Sequence, residues 1–412
     1  MNTDDLLHPD EALELVLSVA RSAFEAAGGL TALESLPLSE ALGRWMPEAQ
    51  YSTIDQPPFD KSAMDGFAVA TGAPGQELPG PWRVIGTIAA GAPAPRRPGP
   101  GEAVRVMTGA PVPEGTTFVQ RVEFTQMAGE ELVRFTEAER GDNLIRRGEN
   151  LCKGALLIHP GRLTPAGIGL LASSGFATVR VAKQAIVGII STGDELAAQG
   201  EALGPAAIYD SNGPQLLAQA AAAGALPRFY GIIRDDEEAL AAAFDKALTE
   251  CDVLLVSGGV SMGDFDHVPR VLASLGVTRV FHRIAMRPGK PTWFGRRGNR
   301  AVFGLPGNPL STFVNFEVLI TPYLAARMGV PWSAPILSLP LGIELSRRGA
   351  DRVEYLPVAI ETREGRSVAL PLRYHGSSML SVLASAEGLA RLEIGVERVP
   401  EGGYVSVGLL WT

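Results

Sequence analysis

The sequence predicts a multidomain α/β plus β protein: a central parallel sheet built from βαβ units, with helices on its faces and β-rich regions on either side. Three observations predict it. The stretch 252–266, DVLLVSGGVSMGDFD, carries an unbroken apolar run from Val253 to Val256 that ends in a Ser-Gly-Gly turn, the pattern of a strand buried on both faces. From 185 to about 330, strand-like runs alternate with helical stretches, which is the rhythm of a parallel sheet with crossover helices. The chain has 412 residues, more than one core supports.

The elements follow in order. Pro9 suits a first helical turn, Asp10 and Glu11 favour its positive end, and Gly28-Gly29 stop it; between them Leu13, Val16, Leu17 and Ala20 repeat at helical spacing. From about 60 to 145 the chain is rich in Gly and Pro, and the alternating runs 82–88, 103–107 and 132–135 predict a small β domain. A polar, turn-rich part at 146–163 precedes a helix near 165–173. The α/β part has strands at 185–190, 253–256, 279–284 and 301–303, and helices at 214–223 (after the Ser211/Asn212 cap signal), 237–248, 268–275 and 310–319. The last 80 or so residues return to short strands and turns, a second β domain.

Composition narrows the function. Hydrophobic residues make up 46% and charged residues 20%, a globular balance. The net charge is −9 with no basic block, which argues against a nucleic-acid partner. Cys152 and Cys251 are the only cysteines, lack metal-ligand spacing and suggest a reduced setting. No signal-like N-terminus or membrane-length apolar segment occurs, so a cytoplasmic protein without a membrane partner is expected. The five histidines show no ligand spacing, and neither a zinc site, a Ser-His-Asp triad, a Walker lysine motif nor a dinucleotide fingerprint stands out.

The chemistry is expected at the carboxyl ends of the strands, where ligands of open α/β sheets bind. Each strand discharges into a loop rich in glycine and polar groups: Ser191-Thr192-Gly193-Asp194-Glu195; Ser257-Gly258-Gly259 through Asp266; Arg287-Pro288-Gly289-Lys290-Pro291; and Gly304 through Ser311. Glycines let backbone N–H groups approach an anion, and acids hold a divalent cation beside it. Arg287 and Lys290 flank a Pro-Gly turn, so a planar guanidinium and a point-charge ammonium are available for an oxyanion; the alternative is a solvated hairpin tip. Glu195, Asp264 and Asp266 suit Mg²⁺, against helix capping by Asp194 or Asp264, and Asp235-Asp236 offers one cap of its own. Two further stretches, 57–67 and 107–113, read by composition as loops.

These residues resemble the molybdenum insertases of molybdenum-cofactor biosynthesis (molybdopterin molybdotransferases), the family that includes the E domain of gephyrin and of its plant counterpart. The matching stretches are FDKSAMDGFAV at 59–69, MTGAPVPEG at 107–115, IRRGEN at 145–150, STGDEL at 191–196, IYDSN at 208–212, GIIRDD at 231–236, SGGVSMGDFDHV at 257–268, RPGKP at 287–291 and GLPGNPLS at 304–311. The resemblance implies a transferase that makes molybdenum cofactor and AMP from molybdate and adenylylated molybdopterin, assisted by Mg²⁺. It implies an elongated homodimer of four-domain subunits whose active cleft combines domains: an elongated linker and dimerisation domain at 1–58 and 145–184, a β-rich lid at 59–144, the α/β molybdopterin-binding domain at 185–331 and a small barrel-like β domain at 332–412. Molybdopterin adenylyltransferase and apo-molybdoenzymes are the partner enzymes it suggests.

Carried over position by position, the resemblance makes Asp65, Thr108, Glu195, Asp235 and Asp266 the catalytic set, with Glu195, Asp235 and Asp266 holding the metal. Ser257, Gly258, Gly259, Ser261, Arg283, Arg287, Lys290, Ser311, Arg352 and Ser377 become the substrate and oxyanion set. The chain departs from many relatives in having Arg at 283 and 287 where they have Lys, and Lys61 where asparagine is commoner; a positive charge there is expected to lower the pKa of Asp65. Two rival readings remain: the neighbouring adenylylation of molybdopterin, and a scaffold role of the kind gephyrin also has.

Overall fold

The computed structural model describes residues 6–410 apart from 79, 95, 261–266, 331 and 348. They form two compact units, one of Met1–Glu48, Pro160–Thr164 and Thr178–Thr412, the other of Ala49–His159 and Pro165–Ala177.

The larger unit is built on a six-stranded sheet in the order Leu226–Ile233, Ile186–Thr192, Val253–Ser257, Arg300–Leu305, Trp293–Arg297, Thr278–His282. The first four strands are parallel; Trp293–Arg297 runs against both of its neighbours. Two of these strands differ from the sequence expectation. Leu226–Ile233 is exposed or half-buried at every position, so it lacks the buried apolar run that marks a central strand. Trp293–Arg297 follows the Pro-Gly turn and forms a hairpin with Arg300–Leu305, which makes the sheet mixed rather than purely parallel. Its place is fixed by side chains: Phe281, Phe294 and Phe303 lie in register on three adjacent strands, with ring centroids 5.3 and 4.6 Å apart. Each buried phenylalanine stabilises by roughly 1.5–3 kcal/mol, more than the local propensity of an Arg- and Gly-containing strand opposes.

Helices cover both faces. Leu240, Phe244, Leu248, Val268 and Leu272 pack on one side with Ile190, Leu254 and Val256. Val16, Leu216, Phe313 and Leu324 pack on the other with Ile189, Leu255 and Phe303. Successive residues of a strand point to opposite faces, so the apolar run at Val253–Ser257, buried at every position, feeds both layers. The helix Pro9–Ala26 belongs to this core. It begins where the sequence indicates: the Asp10 N–H donates to the His8 ring at 3.3 Å, Glu11 accepts from the His8 N–H, and Gly28 ends the segment at φ 102°.

The expected helix over 310–319 is interrupted. Pro309–Asn315 is followed by a wide turn, Phe316–Ile320, and then Thr321–Arg327. Pro322 has no N–H to return to the preceding turn, so the Thr321 N–H reaches back five residues to Phe316 O. A second sheet, built from the C-terminal residues, has the order Met286–Arg287, Val353–Arg363, Gly388–Leu392, Tyr404–Leu409, Ile336–Pro340, with Arg366–Pro371 paired to Val353–Arg363.

The smaller unit holds a six-stranded sheet in the order Phe118–Arg121, Gly66–Val69, Glu102–Val106, Trp82–Ile88, Leu132–Phe135, Thr125–Met127. Gly66–Val69, buried throughout, corrects the reading of 57–67 as a loop alone. Gly66 is required there because a Cβ would lie closer than 3.0 Å to Gln120 O on the neighbouring strand. Pro165–Ser173 is helical as the sequence indicates.

Glu317 lies in the wide turn, and the Gln219 amide donates to it at 2.6 Å. Burial raises its carboxyl pKa above the ordinary 4.5, against the smaller opposing effects of Gln219 and Thr321. The native state therefore keeps a proton that the unfolded chain has released, and stability falls as pH rises from the ordinary value through the raised one. Glu317→Gln should raise the thermal midpoint at pH 8, with the gain vanishing below about pH 4.5; equal gains at both pH values would contradict this.

Candidate active site

The strands Ile186–Thr192, Val253–Ser257, Arg300–Leu305 and Thr278–His282 all point the same way, so their carboxyl ends share one edge. The strand Leu226–Ile233 adds a fifth end there and delivers Asp235. Hydrogen bonds tie these ends together. The Gly193 N–H donates to Ile233 O at 3.3 Å, the Thr192 hydroxyl to Ser257 O at 3.4 Å, and the Gly258 N–H to Leu305 O at 3.0 Å. Gly258 and Gly259 adopt φ 97° and 62°, and a Cβ on either would come closer than 3.0 Å to Thr192 or Val268. Left-handed backbone and close approach together call for glycine.

The basic turn is no free hairpin tip. The expected strand 279–284 stops at His282, because Arg283 takes φ 70°; Met286–Arg287 then pairs with Val353 and Glu354 of the C-terminal sheet. Gly289 is packed against Asn315, whose amide donates to Ser311 O at 2.9 Å. Thr292 Oγ1 lies 2.6 Å from Asn315 Oδ1 and 2.7 Å from Gly289 O. Thr292, Asn315 and Ser311 are all buried, so the chain Gly289–Thr292–Asn315–Ser311 fixes the basic turn against the helix that carries Ser311.

Two residues of the C-terminal sheet join the same neighbourhood. Arg352 immediately precedes the pairing of Val353 with Met286, and Ser377 O accepts from the Leu310 N–H at 3.0 Å. Arg352 makes one ion pair, to Asp351 at 3.4 Å. Lys290 is exposed, and neither its ammonium nor the Arg283 guanidinium has a carboxylate partner among the described residues. Cations placed without internal partners are available for an anionic guest. Tyr374 stands nearby: its hydroxyl meets Glu354 at 3.4 Å, and burial, with Glu354 adding to it, pushes its pKa up to about 12.

The carboxylates divide. Asp236 caps Glu237–Glu250, accepting from the Ala239 N–H at 2.9 Å, so the cap expected from the Asp235-Asp236 pair is Asp236. No helix follows Asp194; the chain passes into the short strand Leu196–Ala197, so capping does not explain the exposed pair Asp194 and Glu195. Ser261, Asp264 and Asp266 lie outside the described residues.

In the smaller unit, antiparallel pairing of Gly66 with Val106 sets Asp65 beside the turn after Glu102–Val106. Asp65 Oδ1 accepts from the Thr108 N–H at 2.6 Å and from its hydroxyl at 2.8 Å. These two bonds, with a weaker contribution from Arg105, lower the Asp65 pKa. The charge that acts on Asp65 is that of Arg105, while Lys61 lies in a strand pairing with Leu144–Ile145, which corrects the expectation that Lys61 lowers the Asp65 pKa.

Three family profiles cover the chain in order: "MoeA N-terminal region (domain I and II)" over residues 7–175, "Probable molybdopterin binding domain" over 188–326 and "MoeA C-terminal region (domain IV)" over 346–410. The molybdopterin molybdenumtransferase of Bacillus subtilis is 34% identical over 385 residues, 92% of this chain and 90% of that protein. The protein of the same name from Haemophilus influenzae is 38% identical over 384 residues, 92% of each chain. The chain belongs to the molybdopterin molybdenumtransferase family. The enzyme also matches a crystal structure of the molybdopterin biosynthesis MoeA protein from Pyrococcus horikoshii OT3, with TM-score 0.81, 26% identity and coverage of 98% of this chain and 100% of that one.

A cavity of about 520 Å³ is lined by Leu13, Trp45, Glu317, Tyr355 and Arg391 among others. None of the predicted site residues lines it. The polar groups tied together by hydrogen bonds lie at the strand ends instead. Sequence reasoning missed Thr292, Asn315, Tyr374 and Asp210, the last of which accepts from the Ser191 hydroxyl at 2.8 Å. The repeated Asp and Asn in IYDSN and in GNPLSTFVN was the available signal for two of them.

Gly258→Ala should cost about 1–3 kcal/mol, the usual cost of a strained backbone position, seen as a lower urea midpoint. Thr108→Val keeps the N–H and removes the hydroxyl donor, so the Asp65 carboxyl should titrate at higher pH in NMR; an unmoved titration would show that the hydroxyl bond is idle.

Proposed function

We propose that the enzyme transfers molybdenum from molybdate to adenylylated molybdopterin and releases AMP. The observation that carries this reading is the convergence of Arg287, Lys290, Ser311, Arg352 and Ser377 through the Met286–Val353 pairing and the buried Thr292–Asn315 bridge. Molybdate is a dianion and the pterin substrate carries a phosphoanhydride. Two such anions at contact repel by several kcal/mol at the effective dielectric of a protein surface, so cations must neutralise them. Arg283, Arg287 and Lys290, with Arg352, receive molybdate beside Ser311 and Ser377. Guanidinium groups at 283 and 287 clamp two oxygens at once, which a lysine does not.

The Ser257-Gly258-Gly259 turn, with Ser261 beyond it, takes the phosphate end of the pterin substrate. A molybdate oxygen attacks the adenylyl phosphorus and the anhydride bond breaks. That oxygen leaves with AMP when its bond to molybdenum is replaced by the dithiolene sulfurs. The resemblance gives Asp65, whose pKa the Thr108 bonds lower, a catalytic role as well.

Mg²⁺ fits the donor chemistry, since hard carboxylate oxygens at Glu195 and Asp235, with Asp266, are what it takes, one or two at a time beside phosphate oxygens. Among the described residues no three His, Cys, Asp or Glu side chains come together as an all-protein metal site would require. When bound it would supply charge neutralisation at the phosphoanhydride.

A homodimer, the four-domain division given above, a cytoplasmic setting and the two partner enzymes are part of this proposal and are supported by the resemblance. No described helix is long and apolar enough to cross a membrane.

Lys290→Ala should lower the insertion rate at least tenfold, the effect of losing about 1.4 kcal/mol, with little change in thermal midpoint. A variant that still made cofactor normally would favour the scaffold reading instead. Oxygen-18 molybdate should yield labelled AMP, and unlabelled AMP would exclude the attack written above. An ATP requirement would point to adenylylation. Chelation should slow the reaction and added Mg²⁺ restore it.

A further inference from the structure

Asn212 opens the helix Asn212–Ala222 and is 7% exposed. Its amide nitrogen donates to Ser257 Oγ at 2.7 Å and to Gly307 O at 2.8 Å. A peptide carbonyl only accepts, so the nitrogen is fixed on the Gly307 side and the amide cannot be reversed. Both amide hydrogens are then used. Ser257 Oγ serves as the acceptor of one of them, which leaves the serine's own hydrogen free to be donated.

The helix start that carries Asn212 is itself pinned. Asp210 Oδ1 accepts from the Gly213 N–H at 3.0 Å, and its Oδ2 accepts from the Ser191 hydroxyl at 2.8 Å. The start of this helix therefore joins the ends of three parallel strands: Ile186–Thr192 through Asp210 and Ser191, Val253–Ser257 through Asn212 and Ser257, and Arg300–Leu305 through Asn212 and Gly307. Polar demand stays unfilled around it. Asn212 Oδ1 and both polar atoms of the Gln215 side chain have no hydrogen-bond partner among the described residues. A buried unpaired amide costs about 1–3 kcal/mol, so a core serving stability alone would have an apolar side chain here.

We propose that Asn212 is a positioning residue for the organic substrate: it holds Ser257 as a hydrogen-bond donor, and the Gly258-Gly259 turn against the Pro306-Gly307 turn, so that both receive a phosphate oxygen of the adenylylated pterin. The inference rests on the function proposed above and assigns the pterin substrate to this part of the edge. The basic turn is anchored by a different set of bonds, through Thr292 and Asn315, so the molybdate side should not feel a change at Asn212.

The test compares Asn212→Ala and Ser257→Ala in the full chain, measuring KM for adenylylated molybdopterin, KM for molybdate, kcat and thermal midpoint. One lost hydrogen bond corresponds to about a tenfold change. Asn212→Ala should raise the pterin KM about that much while the molybdate KM stays within about twofold. Ser257→Ala should reproduce the split, and the double variant should be no worse than the worse single, as expected for residues acting through one contact. If Asn212→Ala does not fold, the split in Ser257→Ala decides alone. Both KM values and the midpoint moving together would show a merely structural role and overturn the proposal, as would an unchanged pterin KM. Should Lys290→Ala abolish insertion while Asn212→Ala leaves the pterin KM unmoved, only this inference fails. Should Lys290→Ala leave insertion intact, the proposed function fails first.

Discussion

The larger unit depends on the burial of Val253–Ser257 from both sides. Every residue of that strand is covered, and its neighbours Ile186–Thr192 and Arg300–Leu305 pair with it in parallel. Parallel pairing brings their carboxyl ends to one edge. Everything at the site follows from that edge: glycine turns where backbones approach, serines and asparagines that tie the strand ends together, and charged residues gathered on the loops that leave it. A slip of one residue would turn every side chain to the opposite face and separate Ser257 from Thr192 and Asn212 at once.

The second constraint is the junction between sheets. Pairing of Met286–Arg287 with Val353–Glu354 makes one loop the property of two sheets. The buried Thr292–Asn315 bridge then removes the freedom such a loop would otherwise have. Preorganised cations need no reordering when an oxyanion arrives, which is where fixed charges have their greatest effect.

The smaller unit solves a similar problem by other means. Its antiparallel Gly66–Val106 pairing places Asp65 next to Thr108, although 43 positions separate them. Two hydrogen bonds from a single residue fix the carboxylate and lower its pKa in a solvent-facing position.

The sequence by itself determined the order of elements, the helix Pro9–Ala26 with its capping residues, the buried run at 253–256, and the turns where glycine and charge coincide. These are local properties: periodicity, caps and positive φ are set by neighbours a few residues apart. The tertiary structure alone decided the antiparallel Trp293–Arg297 strand, the buried strand at Gly66–Val69, the wide turn at Phe316–Ile320, the pairing of Met286–Arg287 with Val353–Glu354 and the bond from the Leu310 N–H to Ser377 O. Those depend on hydrogen bonds and aromatic contacts between residues far apart in the chain, which leave no periodic trace. Asn212 and Asn315 show the difference most clearly. As letters they are ordinary turn and helix residues, and only the strands brought against them turn their amides into ties.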